Sequence, residues 1–367
     1  MNRNSFQTLF LTPCGGASKA SLRLAMAIVL AASSSALAID LRIASWNVGN
    51  LPNTAAQELE LQEILVAIGN ESVLGTARPI DILALAETDT ASAPDTVAVF
   101  NTAYATSSYA TAISTPDGGG DRTGFIYNTD TVTLLGTTEL SAGLTHNLLR
   151  GEFRPVGTGG EADFFYYAIH LQSGDTTAFE DQRAAETQLI RDDADTLGLT
   201  TPIIYGGDFN WNDVDESTDP NNAAWDVITG AGAGQGFDTF DITNVAGAGN
   251  WRDNPAFLDL HTQDPGASMD DRFSVQFVTD EFFDGAGLEL VQGSFRVFGN
   301  NGTHTLNEPI TTGTGASASV LDALASFSDH LPVISDFRVL PDAIVPEPST
   351  LWLFVVALAG PIVTRRR

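Results

Sequence analysis

Ile203-Ile204-Tyr205-Gly206-Gly207-Asp208-Phe209-Asn210 begins as a short apolar strand and ends in a carboxylate and an amide two residues apart. The same layout recurs along the chain. Ile43-Ala44-Ser45-Trp46-Asn47 ends in an amide, Ile82-Leu83-Ala84-Leu85-Ala86-Glu87 in a carboxylate, and Tyr167-Ala168-Ile169-His170-Leu171 in an imidazole, while Phe327-Ser328-Asp329-His330-Leu331-Pro332 precedes the last apolar run. Polar groups just beyond the C-terminal ends of apolar strands are where α/β proteins assemble their sites. Between the strands, Leu61, Ile64, Leu65 and Ile68 recur at i, i+3, i+4 and i+7, so the segment from Ala55 to Ile68 reads as an amphipathic helix. Phe179 to Leu197 reads as another, with its charged residues outward.

Strands are expected at Leu41 to Val48, Ile80 to Ala86, Phe164 to Leu171, Pro202 to Tyr205, Phe273 to Val278 and Leu331 to Val339. Gly124 to Tyr127 and Val132 to Leu135 look like the two arms of a hairpin. Strands interleaved with helices place the chain in the α/β class. The Gly-rich patches at Gly118 to Gly120, Gly230 to Gly236 and Gly313 to Gly315 read as surface loops. No internal repeat and no linker divides residues 39–344, which are read as one domain.

Of 367 residues, 43% are hydrophobic and 17% charged, a composition that buries a large core and excludes disorder and collagen-like repeats. The formal charge is -29, from 17 Lys plus Arg against 46 Asp plus Glu. Six of the 17 basic residues (Arg3, Lys19, Arg23, Arg365, Arg366 and Arg367) lie at the ends, so 17 minus 6 leaves 11 for the body, all of them Arg. Nucleic-acid surfaces neutralise phosphates with many cations, and this body has the opposite field. Tight non-specific DNA binding is therefore not expected.

The two ends read as addresses. A basic stretch ending at Arg23, the apolar run Leu24 to Ala32 and the small-x-small site Ala36-Leu37-Ala38 have the layout of a signal peptide, so residues 1–38 are expected to be removed. The run is too short for the roughly 20 residues that span a bilayer. The single cysteine, Cys14, falls in this segment, which leaves the mature chain without disulfides. Polar residues precede Cys14 and the apolar run follows it, the reverse of a lipoprotein signal. At the other end, Val345-Pro346-Glu347-Pro348-Ser349-Thr350, the apolar run Leu351 to Val363 and three arginines resemble the PEP-CTERM sorting signal of Gram-negative bacteria. That resemblance implies processing of residues 345–367 by an exosortase-type enzyme. The protein is then transiently membrane-anchored and later held at the cell surface or released outside the cell.

Each polar strand end has a plain explanation when taken singly. A Glu after a strand commonly caps a helix, Gly-Asp is a common turn, and a lone His is more often structural than catalytic. Together they suit hard-cation chemistry, since Glu87, Asn47 and a second carboxylate are oxygen ligands of the kind Mg²⁺ takes while keeping several waters. Two histidines beside such an ion can stabilise charge on a phosphate or move a proton near neutral pH. There is no His/Cys spacing for structural zinc and no Gly-x-Ser-x-Gly elbow for a serine nucleophile.

The same segments in the same order resemble the endonuclease/exonuclease/phosphatase family, which includes pancreatic deoxyribonuclease, exonuclease III and bacterial sphingomyelinase. The resemblance spans about residues 41–339 and is most specific at Gly207-Asp208-Phe209-Asn210 and Ser328-Asp329-His330. It implies a four-layer α/β sandwich, two mixed sheets face to face with helices outside, and the site at one edge of the pair. It also implies roles. Glu87, Asn47 and Asp329 would hold Mg²⁺, with Mn²⁺ as a substitute. Asp208 would position or deprotonate the attacking water, Asn210 would hold a phosphate oxygen, and His170 and His330 would face the phosphate from two sides. Arg122 would add a phosphate contact.

Two departures from the family pattern stand out. Ala86 occupies the place of the Gln that usually precedes the metal-binding Glu. In Asp270-Asp271-Arg272-Phe273-Ser274, Ser274 stands where the family has the Asp that orients the catalytic His, and a hydroxyl holds a tautomer without stabilising an imidazolium. Asp271, three residues away, is expected on the other face of the strand. Two readings follow: an exported, Mg²⁺-dependent phosphoesterase (a phosphodiesterase or nuclease, or a phosphomonoesterase), and a catalytically weakened surface or matrix binding protein on the same fold. A monomer is expected in either case.

Overall fold

A computed structural model describes residues 40–211, 223–244 and 251–340. Signal-peptide and sorting-segment readings at residues 1–38 and 345–367 lie outside the described residues.

Two sheets form the centre. One runs β13 (Leu288–Leu290), β15 (Val333–Val339), β1 (Asp40–Asn47), β4 (Ile82–Thr88), β6 (Arg122–Asn128) and β5 (Tyr109–Ile113), with β14 (Arg296–Val297) also paired to β15. The other runs β11 (Phe237–Asp238), β12 (Ser274–Val278), β10 (Ile203–Asp208), β9 (Phe164–His170), β8 (Leu148–Pro155) and β7 (Val132–Leu140). A small separate hairpin pairs β2 (Ser72–Val73) with β3 (Thr76–Ala77). Strands β1 and β4 are parallel, as are β9 and β10, so both sheets are mixed.

Alternation of side chains builds the layers. Leu41, Ile43, Ile82, Ala84 and Phe125 of the first sheet meet Phe164, Tyr166, Ala168, Ile204 and Val278 of the second in one apolar layer between them. The intervening residues face outward. Ala44, Trp46, Leu83 and Leu85 pack under helices α1 (Ala55–Asn70), α2 (Ser92–Ala103) and, farther along the chain, α5 (Ala318–Phe327). Tyr167, Ile169, Ile203, Tyr205, Val275 and Phe277 are covered by α3 (Thr177–Leu197) and α4 (Ala223–Thr229). The expected helix of the first segment forms with Leu61, Ile64, Leu65 and Ile68 buried and Thr54 as its N-cap, whose side chain accepts the N–H of Gln57.

One expectation fails. Gly124 to Tyr127 and Val132 to Leu135 do not form a hairpin: β6 pairs with β4 and β5, whereas β7 pairs with β8 in the other sheet. The few residues between them carry the chain from one sheet to the other, and Leu148–Pro155 supplies the true partner of β7.

Candidate active site

Parallel pairing aligns the C-terminal ends of β1 with β4 and of β9 with β10, and the predicted polar residues gather there. Register does much of the placing. Asp208 lies directly opposite His170 on β9 and Ser274 on β12, so all three project into the space between the sheets. Gly206 and Gly207 make this possible. A Cβ on Gly207, whose φ is 151°, would stand 2.1 Å from the Ile169 carbonyl oxygen, and one on Gly206 would stand 2.6 Å from the Tyr166 hydroxyl.

From β1, the Asn47 amide bridges the sheets: its Nδ2 donates to Glu87 Oε1 and to Asp208 Oδ2, each at 2.9 Å. Asn47 Oδ1 accepts the Gly49 N–H at 3.0 Å, so in this orientation the side chain fixes the two carboxylates, and ligation of a cation requires the amide to turn over. Glu87 sits at a β-bulge with φ 48°, a left-handed conformation that re-aims its side chain into the cleft. Asn210 also has φ 50°; its N–H reaches Asp208 Oδ1 at 2.8 Å and its Nδ2 donates to the Leu171 carbonyl at 2.9 Å. The loop before β15 is tied to β1, since Ser328 Oγ donates to the Asn47 carbonyl, accepts the His330 N–H, and Trp46 Nε1 donates to the His330 carbonyl.

His330 is thereby held with Nε2 3.3 Å from Asp208 Oδ2 and Nδ1 3.3 Å from Ser274 Oγ. The Ser274 hydroxyl can donate to Nδ1 or accept from it and so serves either tautomer, whereas a carboxylate at position 274 would select Nδ1–H. Asp271, in the coil before β12, has Oδ2 3.8 Å from Arg252 Nε. His170 Nε2 approaches Glu87 Oε1 at 3.6 Å and Asp208 Oδ2 at 4.0 Å. Burial pushes the His170 ring down to about 4, helped by the neighbouring His146 and His330, so the ring is neutral at pH 7.

Burial likewise raises Glu87 above its ordinary value; the Asn47 hydrogen bond opposes this, and the carboxylates of Asp208 and Asp329 add to it. Asp329 is exposed at the cleft rim. Glu87, Asp208 and His170 offer ligand atoms within 4.8 Å of one another. This oxygen-rich, negatively charged set fits a hard divalent cation.

Arg122 is not at the site. Its guanidinium donates to the Ser114 carbonyl and does not line the cleft. Ala86 is buried opposite Asn47 in the register and brings no polar group to Glu87.

Sequence reading missed His146. Its ring stacks on His170 with centroids 3.8 Å apart and planes 7° from parallel, and its Nδ1 pairs with Asp117 Oδ2. Asp117 is itself held by the N–H groups of Gly119, Gly120 and Asp121; although burial opposes it, these bonds and His146 keep its carboxyl below the ordinary value. Asp117, Asp121 and His146 form a second group of ligand atoms within 4.8 Å. His146 and Asp121 line the same cleft of about 470 Å³ as Glu87, Asp208 and His330.

The family model described as the Endonuclease/Exonuclease/phosphatase family matches residues 44–256, and the chain belongs to this family. Residues 345–367 match the PEP-CTERM protein-sorting motif, the mark of export and surface sorting. Among the described residues no helix is long and apolar enough to cross a membrane. Solved structures share the fold. An endonuclease/exonuclease/phosphatase from Bacteroides vulgatus is 18% identical with a TM-score of 0.53, over 82% of this chain and 99% of that one. A humanized TDP2 of D. rerio is 17% identical with a TM-score of 0.50, over 81% and 98%. D. rerio TDP2 complexed with a single strand DNA product is 16% identical, also at 0.50 and over 81% and 98%. A sequence comparison with curated proteins finds no match.

Proposed function

We propose that the protein is an exported, Mg²⁺-dependent phosphoesterase that hydrolyses a phosphate ester by in-line attack of water. The observation that carries this reading is the convergence of Asp208 with His330, Asn47 and Ser274 at the floor of an open cleft, with Glu87 beside it. Glu87 would hold the cation, with Asn47 after its amide turns over and Asp329 from the rim; Mn²⁺ would serve in its place. When bound, the ion supplies positive charge to the phosphoryl oxygens.

The chain's own groups then have distinct tasks. Asp208, fixed by Asn47 and by the Asn210 N–H, orients the attacking water and takes its proton. His330 faces the phosphate from beside Asp208 and donates to a phosphoryl oxygen, while neutral His170 lines the opposite wall. Asn210 places its amide near the same oxygens from the strained turn after β10. Residues 1–38 would be removed on export and the tail after about residue 345 by an exosortase-type enzyme, leaving a monomeric domain of residues 39–344. Intact-mass measurement of protein from the native host tests that processing; retention of residues 1–38 would contradict it.

Ser274 favours a second reading. With a hydroxyl 3.3 Å from His330 Nδ1 in place of a carboxylate, the fold could serve as a surface or matrix protein with weakened catalysis. Hydrolysis of bis(p-nitrophenyl) phosphate, p-nitrophenyl phosphate, RNA, DNA and phospholipid, each with Mg²⁺ and with EDTA, separates the two. The enzyme reading requires turnover of at least one substrate, lost in EDTA and lost in Glu87→Ala; binding without turnover supports the second.

A further inference from the structure

Each of the eleven arginines of the body has a partner within the protein. Nine pair with carboxylates: Arg42 with Asp336, Arg78 with Asp81, Arg150 with Asp193, Arg154 with Asp163, Arg191 with Asp195, Arg252 with Asp271, Arg272 with Asp238, Arg296 with Glu71 and Arg338 with Asp40. The other two donate to backbone carbonyls, Arg122 to Ser114 and Arg183 to Gln172 and Gly174. The body contains no lysine. Among the described residues, then, no Lys or Arg lines the cleft, whereas Asp121 and Asp175 line it outside the proposed cation-holding set of Glu87 and Asp329 and the Asp208 floor.

This lining sets what can occupy the space beyond the reacting phosphate. A polyanion follows a track of cations, and each further phosphate laid across this cleft meets a carboxylate instead. An uncharged alcohol bearing hydroxyl groups meets the same carboxylates, and Gln263, as hydrogen-bond acceptors. Asp121 already accepts one such bond, from Asn50 Nδ2 at 2.7 Å, and keeps its second oxygen for another. Among the described residues, Phe273 is the one aromatic ring in the lining apart from imidazoles, and the large exposed apolar residues, such as Leu59, Leu74 and Leu199, do not line the cleft, which gives a lipid surface little to rest on.

We infer that the substrate is a small phosphate ester whose only ionised group is the phosphate that reacts, joined to an uncharged, hydroxyl-bearing alcohol, and that a nucleic acid is a poor substrate. The inference rests on the phosphoesterase reading and narrows it. In the step, the water oxygen bonds to phosphorus as the bond from phosphorus to the alcohol oxygen breaks. Asp208 takes the water's proton, and the departing alkoxide takes one from solvent.

The experiment measures kcat/KM of the full-length protein at saturating Mg²⁺ in 20 and 200 mM NaCl (about 20 and about 7 Å of screening length). Four probes are used: bis(p-nitrophenyl) phosphate, glucose 6-phosphate, glycerophosphoglycerol and a single-stranded oligonucleotide. The better of the two hydroxylated esters should exceed the oligonucleotide, per reactive phosphate, by roughly tenfold or more at low salt, since electrostatic focusing changes association by about 10–10³-fold. Oligonucleotide turnover should rise with salt as repulsion is screened. Asp175→Lys, an exposed rim substitution, should raise it severalfold at low salt. Oligonucleotide turnover equal to or above both hydroxylated esters, or falling with salt, overturns the inference while leaving the phosphoesterase reading intact. Hydrolysis of none of the four, bis(p-nitrophenyl) phosphate included, overturns both.

Discussion

Two regions of this molecule bury carboxylates, and they treat them oppositely. In the body of the fold, Asp238 and Asp336 each receive both arms of an arginine: Arg272 Nη1 and Nη2 reach Asp238 at 2.7 and 2.9 Å, and Arg42 Nε and Nη2 reach Asp336 at 2.8 and 3.0 Å. At the edge of the two sheets, Asp208 and Glu87 share the Asn47 amide and the His170 ring, Asp208 also takes the Asn210 N–H and faces His330, and no arginine forms a hydrogen bond or ion pair with either among the described residues. A bidentate arginine neutralises a buried carboxylate permanently and so belongs to the architecture. Carboxylates held close together without one leave a place for a cation that arrives later. The difference supports, in electrostatic terms and independent of any resemblance, the proposal that the sheet edge is the working part of the protein.

The sharpest way to break that comparison is to remove one partner from each region. Arg272→Ala should destabilise the fold by about 3–5 kcal/mol, because Asp238 is left charged and unpaired in a fully buried position. Asp208→Ala should leave the unfolding midpoint close to that of the native protein and lower hydrolysis by about 10²–10⁴-fold. Urea unfolding and initial rates on both variants check this. A stable Arg272→Ala, or an Asp208→Ala that unfolds, would erase the distinction.

A smaller effect concerns His170. Its ring is buried neutral, so as pH falls from about 6.5 to about 4 the unfolded chain takes up a proton that the folded chain refuses, and stability is lost through that window. At about 1.4 kcal/mol per pKa unit, the contribution is of order 2–3 kcal/mol. His170→Asn should therefore lose less stability than the native protein between pH 7 and pH 4.5. Equal losses by urea titration would show that the ring is not held neutral.

The smallest expected effect is at Ser274. Ser274→Asp places a carboxylate against His330 Nδ1, selects the Nδ1–H tautomer and stabilises the imidazolium, and recovery of even part of an acid–base contribution should exceed roughly tenfold in rate. The pH–rate profile from pH 5 to 9 on one diester substrate is the measurement. An unchanged or lower rate in a folded variant would show that the hydroxyl already serves the reaction.

Much of this architecture was legible from residue pattern alone. Apolar strands ending in Asn47, Glu87, His170 and Asp208 place those groups at one sheet edge because parallel pairing aligns strand ends, and the register of Arg272-Phe273-Ser274 carries Ser274 to His330. What pattern does not carry is non-local. Gly124–Tyr127 and Val132–Leu135 are near in sequence, yet nothing local states that they enter different sheets. The Glu87 bulge depends on its pairing with β6, and the alternation of β4 taken alone would turn that side chain away from the cleft. His146 lies in a loop with no flanking motif, and only the stack on His170 and the Asp117 hydrogen bond mark it. Asp271 falls before β12 begins at Ser274, so strand alternation does not govern where its side chain points.

The central claim is that Glu87 and its neighbours keep their negative charge for a divalent cation on which hydrolysis depends. The direct measurement titrates Mg²⁺ into chelator-stripped native protein and Glu87→Ala, following thermal unfolding and hydrolysis of bis(p-nitrophenyl) phosphate together. Native protein should gain about 2.7 kcal/mol of stability at 100 times the dissociation constant and regain activity over the same range. Because Glu87 is raised above the ordinary carboxylate range by burial, both effects should weaken as pH is lowered toward that range. Glu87→Ala should show neither. Full hydrolysis in EDTA, or an identical Mg²⁺ response in Glu87→Ala, would contradict the account.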